Sequence, residues 1–252
     1  MADQKLREHQ LRAVEAMKKL DQICTQNDIH YFMIAGSALG AIRHKGFIPW
    51  DDDIDIVMTM DQFQRFIHIA PSAIQTPYIW KHTSVDASYP TLSGGIYYEE
   101  DEPLITVFPL VKLSDNRLQR KMQWVIRKVM SPVWQRKVGY RVPLEKMNGK
   151  QRLSIAGSTV LAAFLSKKQV LDILRKNELK YEDRDVQWYC NIYSKYSQEK
   201  ESIRADWVKT TVRVPFEDSQ FPIVKDYDAY LTQLYRDYMT PPPEEKRAPE
   251  HL

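Results

Sequence analysis

The stretch Ala35–Val57, AGSALGAIRHKGFIPWDDDIDIV, constrains this chain more than any other. Its close, Asp53-Ile54-Asp55-Ile56, alternates polar and apolar, and side chains on a strand alternate faces. Asp53 and Asp55 are expected to point one way, joined by Asp51 if the extended geometry starts early. Ile54, Ile56 and Met58 then point the other way, into a core. Carboxylates that share a face repel one another unless a cation sits between them. Such hard oxygen donors suit Mg²⁺ or Mn²⁺, which hold substrate phosphates through one or two protein carboxylates. Asp53 and Asp55 are the expected metal ligands.

An acidic run is most often a solvated loop. The Ile-Asp alternation argues against that here, as does Gly36-Ser37, which opens a helix just after an apolar strand over 30–34. Backbone N–H groups at a helix N-terminus form an anion site. The basic link Arg43, His44, Lys45 lies between that turn and the aspartates, where a diphosphate or triphosphate would run.

Gly36-Ser37 followed by Asp53-x-Asp55 resembles the signature of the nucleotidyltransferase fold. The longer string RHKGFIPWDDDID, Arg43 to Asp55, closely resembles the LicD family, which includes bacterial phosphocholine transferases and, more distantly, fukutin and fukutin-related protein. Phe108-Pro109-Leu110 is similar to the family's second block, and YDAYLTQLYRDYMTPPPEEKR, Tyr227 to Arg247, to its C-terminal block. Two positions depart from the pattern. Thr106 stands where the family has a third acidic residue, and Arg236 replaces a glycine.

The resemblance implies transfer of a phospho-alcohol group, phosphocholine above all, from a CDP-alcohol such as CDP-choline to a sugar hydroxyl of a cell-surface glycan precursor. It implies Mg²⁺ or Mn²⁺ on Asp53 and Asp55, with Asp51 and Asp52 assisting in catalysis. Gly36 and Ser37 would hold donor phosphate, with Arg43, His44 or Lys45 screening its charge. With Thr106 at the matched position, a base would come from Asp115, Asp86 or the Asp51/Asp52 pair. Two other readings use the same residues: a nucleotidyltransferase acting on a sugar or alcohol phosphate, and a catalytically impaired relative that binds donor or glycan. A choline headgroup would call for an aromatic cage, for which Tyr97, Tyr98, Trp188, Tyr189 and Trp207 are candidates.

At 252 residues and 43% apolar content, the chain can form one large domain or a domain with an appendage. The expected class is α+β: a nucleotidyltransferase-like core over 1–115 with a small mixed sheet flanked by helices, a basic helical insertion over 116–180, and C-terminal strands and a helix over 181–252. A net charge of +3 is too small to argue for nucleic acid. Cys24 and Cys190 lack metal-ligand spacing and read as buried free thiols. No signal peptide is visible, and no apolar run approaches the ~20 residues a membrane span needs. A cytoplasmic protein is expected, peripheral to the inner face of the membrane if the segment from Arg117 to Arg141 binds there. That segment carries eight basic residues and no acid, interleaved with Trp124, Val129 and Trp134; such a helix can lie in a membrane surface.

Local patterns fill in the remainder. Leu11, Val14, Met17, Leu20 and Cys24 fall at helical spacing. Thr59-x-x-Gln62 and Ser166-x-x-Gln169 predict capping boxes. Pro71 is expected to end one helix and Pro132 to kink or split another. Pro109 predicts an edge or bulge in a strand over 104–113. Helix is expected over 144–165 and 226–239, strand over 186–193 and 209–216, and an irregular polar connection over 195–207.

Overall fold

The computed structural model describes residues 2–99, 103–140, 158–194 and 196–247. Most of the expected helix over 144–165 lies outside them; residues 158–164 are helical.

Helix α1 (Ala2–Gln26) buries Val14, Met17, Leu20 and Cys24, the stripe its spacing predicts, while Leu11 is half exposed. The chain then enters a mixed sheet in the order β1-β2-β5-β4-β3. Strand β1 (Phe32–Met33) pairs antiparallel with β2 (Ile54–Thr59), and β2 pairs parallel with β5 (Pro103–Leu113). The connection from β2 to β5 runs through helix α3 (Met60–Ala73) and strands β3 (Tyr78–Lys81) and β4 (Gly94–Tyr98), which pair antiparallel beyond β5. β6 (Trp188–Cys190) joins the far end of β5, and β7 (Ser202–Arg204) pairs with β6. The hairpin β8 (Thr211–Phe216) and β9 (Ser219–Val224) forms its own two-stranded sheet. It packs on β1 and on helix α2 (Ala35–Arg43). The architecture is α+β, as the sequence predicts.

Pro109 sits opposite Met58 of β2, in the gap on the other edge of β5 between β4, whose pairing reaches Val107, and β6, whose pairing begins at Val111. Its missing N–H therefore breaks no ladder on that side.

Several local expectations are corrected. α3 continues through Pro71, and α4 (Arg117–Lys137) continues through Pro132 without splitting. A helical proline costs about 3 kcal/mol, which burial of Val133 and Trp134 directly after Pro132 offsets. Trp134 Nε1 also donates to the Tyr89 carbonyl. The Thr59 capping box does not form, because the Thr59 hydroxyl donates to Asp61 instead. The Ser166 box forms fully at the start of α5 (Lys167–Glu178). The expected polar connection, described from residue 196, is more ordered than its polarity suggests, holding α6 (Gln198–Glu201), β7 and α7 (Ala205–Val208). Helix α8 (Tyr227–Tyr235) stops before the triple proline, at Arg236, whose φ is +62°. The residue replacing the family's glycine thus occupies backbone space that glycine favours.

The main core runs from α1 through the sheet to Leu234 of α8. A separate cluster joins Val133 and Trp134 of α4 to Ala162 and to Val170 and Leu174 of α5. Both cysteines are buried free thiols.

Candidate active site

The site forms because the chain doubles back along α2. Gly40, midway along the helix, lies so close to the returning loop that a Cβ there would meet the Gly46 carbonyl oxygen at 2.5 Å. Farther back, a Cβ on Gly36 would stand 2.8 Å from Asp51 Oδ2. The glycines let helix and loop touch, and the loop carries its aspartates to the helix N-terminus. A carboxylate there meets the positive end of the helix dipole.

Asp51, Asp52 and Asp53 each place a carboxylate oxygen within 4.8 Å of the others. Asp52 is only 1% exposed; Asp51 and Asp53 are partly buried. Asp55 is partly exposed on β2, opposite Thr106 of β5, and is not one of that group of three. Thr106 Oγ1 donates to Asp53 Oδ2 at 3.4 Å, so the residue at the family's third acidic position does border the cluster.

The Gly36-Ser37 turn is held from two sides. The Asp55 N–H donates to Ser37 Oγ at 2.8 Å, tying α2 to the start of β2. The Ala35 N–H donates to the buried Tyr230 hydroxyl of α8 at 3.1 Å. Ala35 has φ +46°, so the bend is strained at its first residue. Burial pushes the Tyr230 phenol well up, helped by the Glu201 and Asp55 carboxylates. Burial raises Tyr235 as well; Tyr196 and Tyr230 add to this, and Asp51 contributes less. Tyr196 and Tyr235 pack edge to face with centroids 6.2 Å apart.

The basic link divides its roles. Arg43 Nη1 donates to the Tyr238 carbonyl, and Arg43 Nε donates to His44 Nε2 at 2.9 Å. An imidazole nitrogen that accepts from arginine carries no proton. Partial burial, then the Arg43 charge, also lower the His44 pKa. His44 is therefore neutral near pH 7, leaving Arg43 and the exposed Lys45 as the link's cations.

Residues far away in sequence brace the loop. Gln10 of α1 donates to the Asp51 carbonyl at 2.8 Å. Glu217, at the hairpin turn, accepts the Phe47 N–H, and its own N–H donates to the Lys45 carbonyl. Arg7 pairs with Glu217 at 2.6 Å and holds that carboxyl below its ordinary range. The Arg247 guanidinium lies 5.3 Å from the centre of the Trp50 ring, beside Asp51. Gln10 and Glu217 carry no local motif, and Tyr230 lies in the C-terminal block without any sign there that it reaches the bend. Only their placement in the fold reveals them.

Other sequence candidates lie elsewhere. Asp115 accepts the Gln187 N–H and lies past the end of β5, away from Thr106 near its start. Asp86 is held in an exposed turn by Ser88. Among the cage candidates, Tyr98, Tyr97 and Trp188 already stack with Arg12, Lys81 and Arg120. Tyr189 and Trp207 pack against the main core.

A family model described as "LicD/FKTN/FKRP, nucleotidyltransferase domain" matches residues 28–148, which include the bend, the loop, the aspartates and β5. The chain is 27% identical to a protein of Haemophilus influenzae named lipopolysaccharide cholinephosphotransferase LicD, over 98% of this chain and 96% of that protein. It is 37% identical over 75 residues, 30% of this chain, to an uncharacterized protein of Rickettsia typhi, covering 24% of that protein.

Proposed function

Since this chain carries a LicD-family nucleotidyltransferase domain, we propose that it transfers phosphocholine from CDP-choline to a saccharide hydroxyl of a cell-surface glycan. The observation that carries the reading is the clustering of Asp51, Asp52 and Asp53 at the start of α2, inside the matched region. Near-full-length similarity to a cholinephosphotransferase supports the choice of phosphocholine.

The donor set fits Mg²⁺ or Mn²⁺. Three carboxylates this close, one of them almost wholly buried, repel one another, and a divalent cation among them would relieve that repulsion. Asp53, Asp51 and Asp52 would hold the ion, which when bound would neutralise charge on the donor phosphates.

The chain's own residues supply the remainder. Thr106 orients the Asp53 carboxylate, and Gln10 fixes the Asp51 backbone. Ser37 and Tyr230 hold the bend in place. Arg43 and Lys45 offer positive charge toward the diphosphate. The acceptor oxygen attacks the choline-bearing phosphorus, forming one P–O bond. The bridging P–O bond breaks, and CMP leaves with its electron pair. In this reading Asp55 takes the acceptor's proton. Its partial exposure, opposite Thr106 of the neighbouring strand, supports that role.

The test is CMP release from CDP-choline in the presence of Mg²⁺ and a saccharide acceptor. Release that EDTA stops and that Asp53→Ala abolishes is expected. A second reading, donor binding without turnover, draws on the neutral Thr106 beside Asp53. Saturable CDP-choline binding with no CMP release would establish it. Pyrophosphate release from CTP and phosphocholine would instead identify a nucleotidyltransferase.

A further inference from the structure

Helix α4 presents to solvent a face that its fold does not need. Leu118, Met122, Val125 and Val129 are 73%, 52%, 47% and 38% exposed. Their spacing of i, i+4, i+7 and i+11 puts them within about 60° of one another around the helix. Scattered surface apolar residues are ordinary, but a continuous stripe marks a binding face.

The stripe is not a helix turned the wrong way. Gln123, on the opposite face and fully buried, donates through Nε2 to the carbonyls of Lys112 and Asn177, both at 3.1 Å. Asn177 Nδ2 returns a bond to the Gln123 carbonyl. Trp134, also on the far side from the stripe, is buried in the cluster shared with α5. These contacts fix the helix rotation, so the apolar stripe must face outward.

Charge selects the occupant. Between Arg117 and Lys137 there are seven basic residues and no acidic one. Arg117, Lys121, Lys128 and Arg136 are exposed, the first three along one flank of the stripe. A soluble polyanion would use the cations and leave the Leu-Met-Val stripe in water. An anionic lipid surface uses both, taking the apolar side chains into the headgroup boundary and the cations at the phosphates. Among the described residues no helix is long and apolar enough to cross a membrane, so the contact is an in-plane one.

We propose that α4 is an interfacial helix that docks the enzyme on an anionic lipid surface through Leu118, Met122, Val125 and Val129. This does not depend on which group the active site transfers.

The test is flotation of the full chain with vesicles of phosphatidylcholine alone and with phosphatidylglycerol added, at about 0.1 M and about 0.5 M salt. The protein is expected to float with the anionic vesicles at low salt, about tenfold less with the neutral ones, and less at high salt. Leu118→Ser/Met122→Ser keeps every charge and alters the two most exposed positions of the stripe. It should lose about tenfold in vesicle binding while its retention on heparin stays unchanged. Wild-type protein that fails to float with anionic vesicles overturns the proposal. So does a double variant that floats like wild type, which would mark α4 as a polyanion or acidic-protein site. Failure of the wild-type protein to float overturns the proposal whether or not the variant folds.

Discussion

A methyl group on Gly36 would stand 2.8 Å from Asp51 Oδ2, and what it meets there is the end of a side chain, which can move. Gly36→Ala is therefore predicted to fold normally but to push the carboxylate out of the cluster. CMP release should fall about a hundredfold, as misplacement near 1 Å can cost, with a melting temperature within about 2 °C of wild type. Gly40 differs, since its Cβ would meet the Gly46 carbonyl of the backbone. Gly40→Ala should destabilise by about 1–3 kcal/mol, read by denaturant unfolding. Arg236 is strained at φ +62° and ψ −107°. Arg236→Gly should raise the melting temperature by a few degrees, since relief of about 1 kcal/mol of strain shifts a chain of this size by about 2–4 °C. At this scale the sequence was informative where chemistry is local. The Ile-Asp alternation located β2, and the mismatched Arg236 was visible as a departure. The burial of Asp52 was not legible, because it depends on a loop folding back on α2 and on Gln10 reaching it from α1.

Three ion pairs tie α1 to the β8–β9 hairpin: Arg7–Glu217, Lys18–Asp218 and Arg213–Asp21. Each is at least partly exposed and contributes little to stability alone. Their consequence is positional, because Glu217 also accepts the Phe47 N–H in the loop leading to the aspartates. Glu217→Ala should cost about 1 kcal/mol in unfolding free energy and lower turnover several-fold with CDP-choline affinity nearly unchanged, as separate kcat and KM values would show. Elements were legible in proportion to how local their causes are. Ser166 and Gln169 form the predicted box, whereas the same pattern at Thr59 and Gln62 loses to Asp61, two residues on. Pro71 is expected to end α3 and Pro132 to kink or split α4, yet both helices continue through them, because a lost backbone bond is legible in sequence and the surrounding contacts are not. The polar stretch after Lys195 supplies β7, whose ordering comes from pairing with β6.

Across the whole molecule, buried acids set how stability follows pH. Burial pushes Glu178 up to about 8, against the Tyr193 hydroxyl that donates to it and the nearby Arg175. Burial likewise pushes Glu201 up to about 7, against the hydroxyl of Ser194. The folded chain therefore holds protons on these groups that the unfolded chain, with pKa near 4.5, has released. Their stabilisation is fully present below about pH 4.5 and is lost as pH rises through about 7 to 8. Glu178→Gln should flatten that decline, so the melting-temperature difference between variant and wild type should shift in the variant's favour from pH 5 to pH 8.5. Whether the three aspartates hold a divalent ion is read by Mn²⁺ titration followed by electron paramagnetic resonance. One saturable site is expected, tightened by CDP-choline and lost in Asp53→Ala. Wild-type protein that binds no Mn²⁺ saturably, with CDP-choline or without, would contradict it.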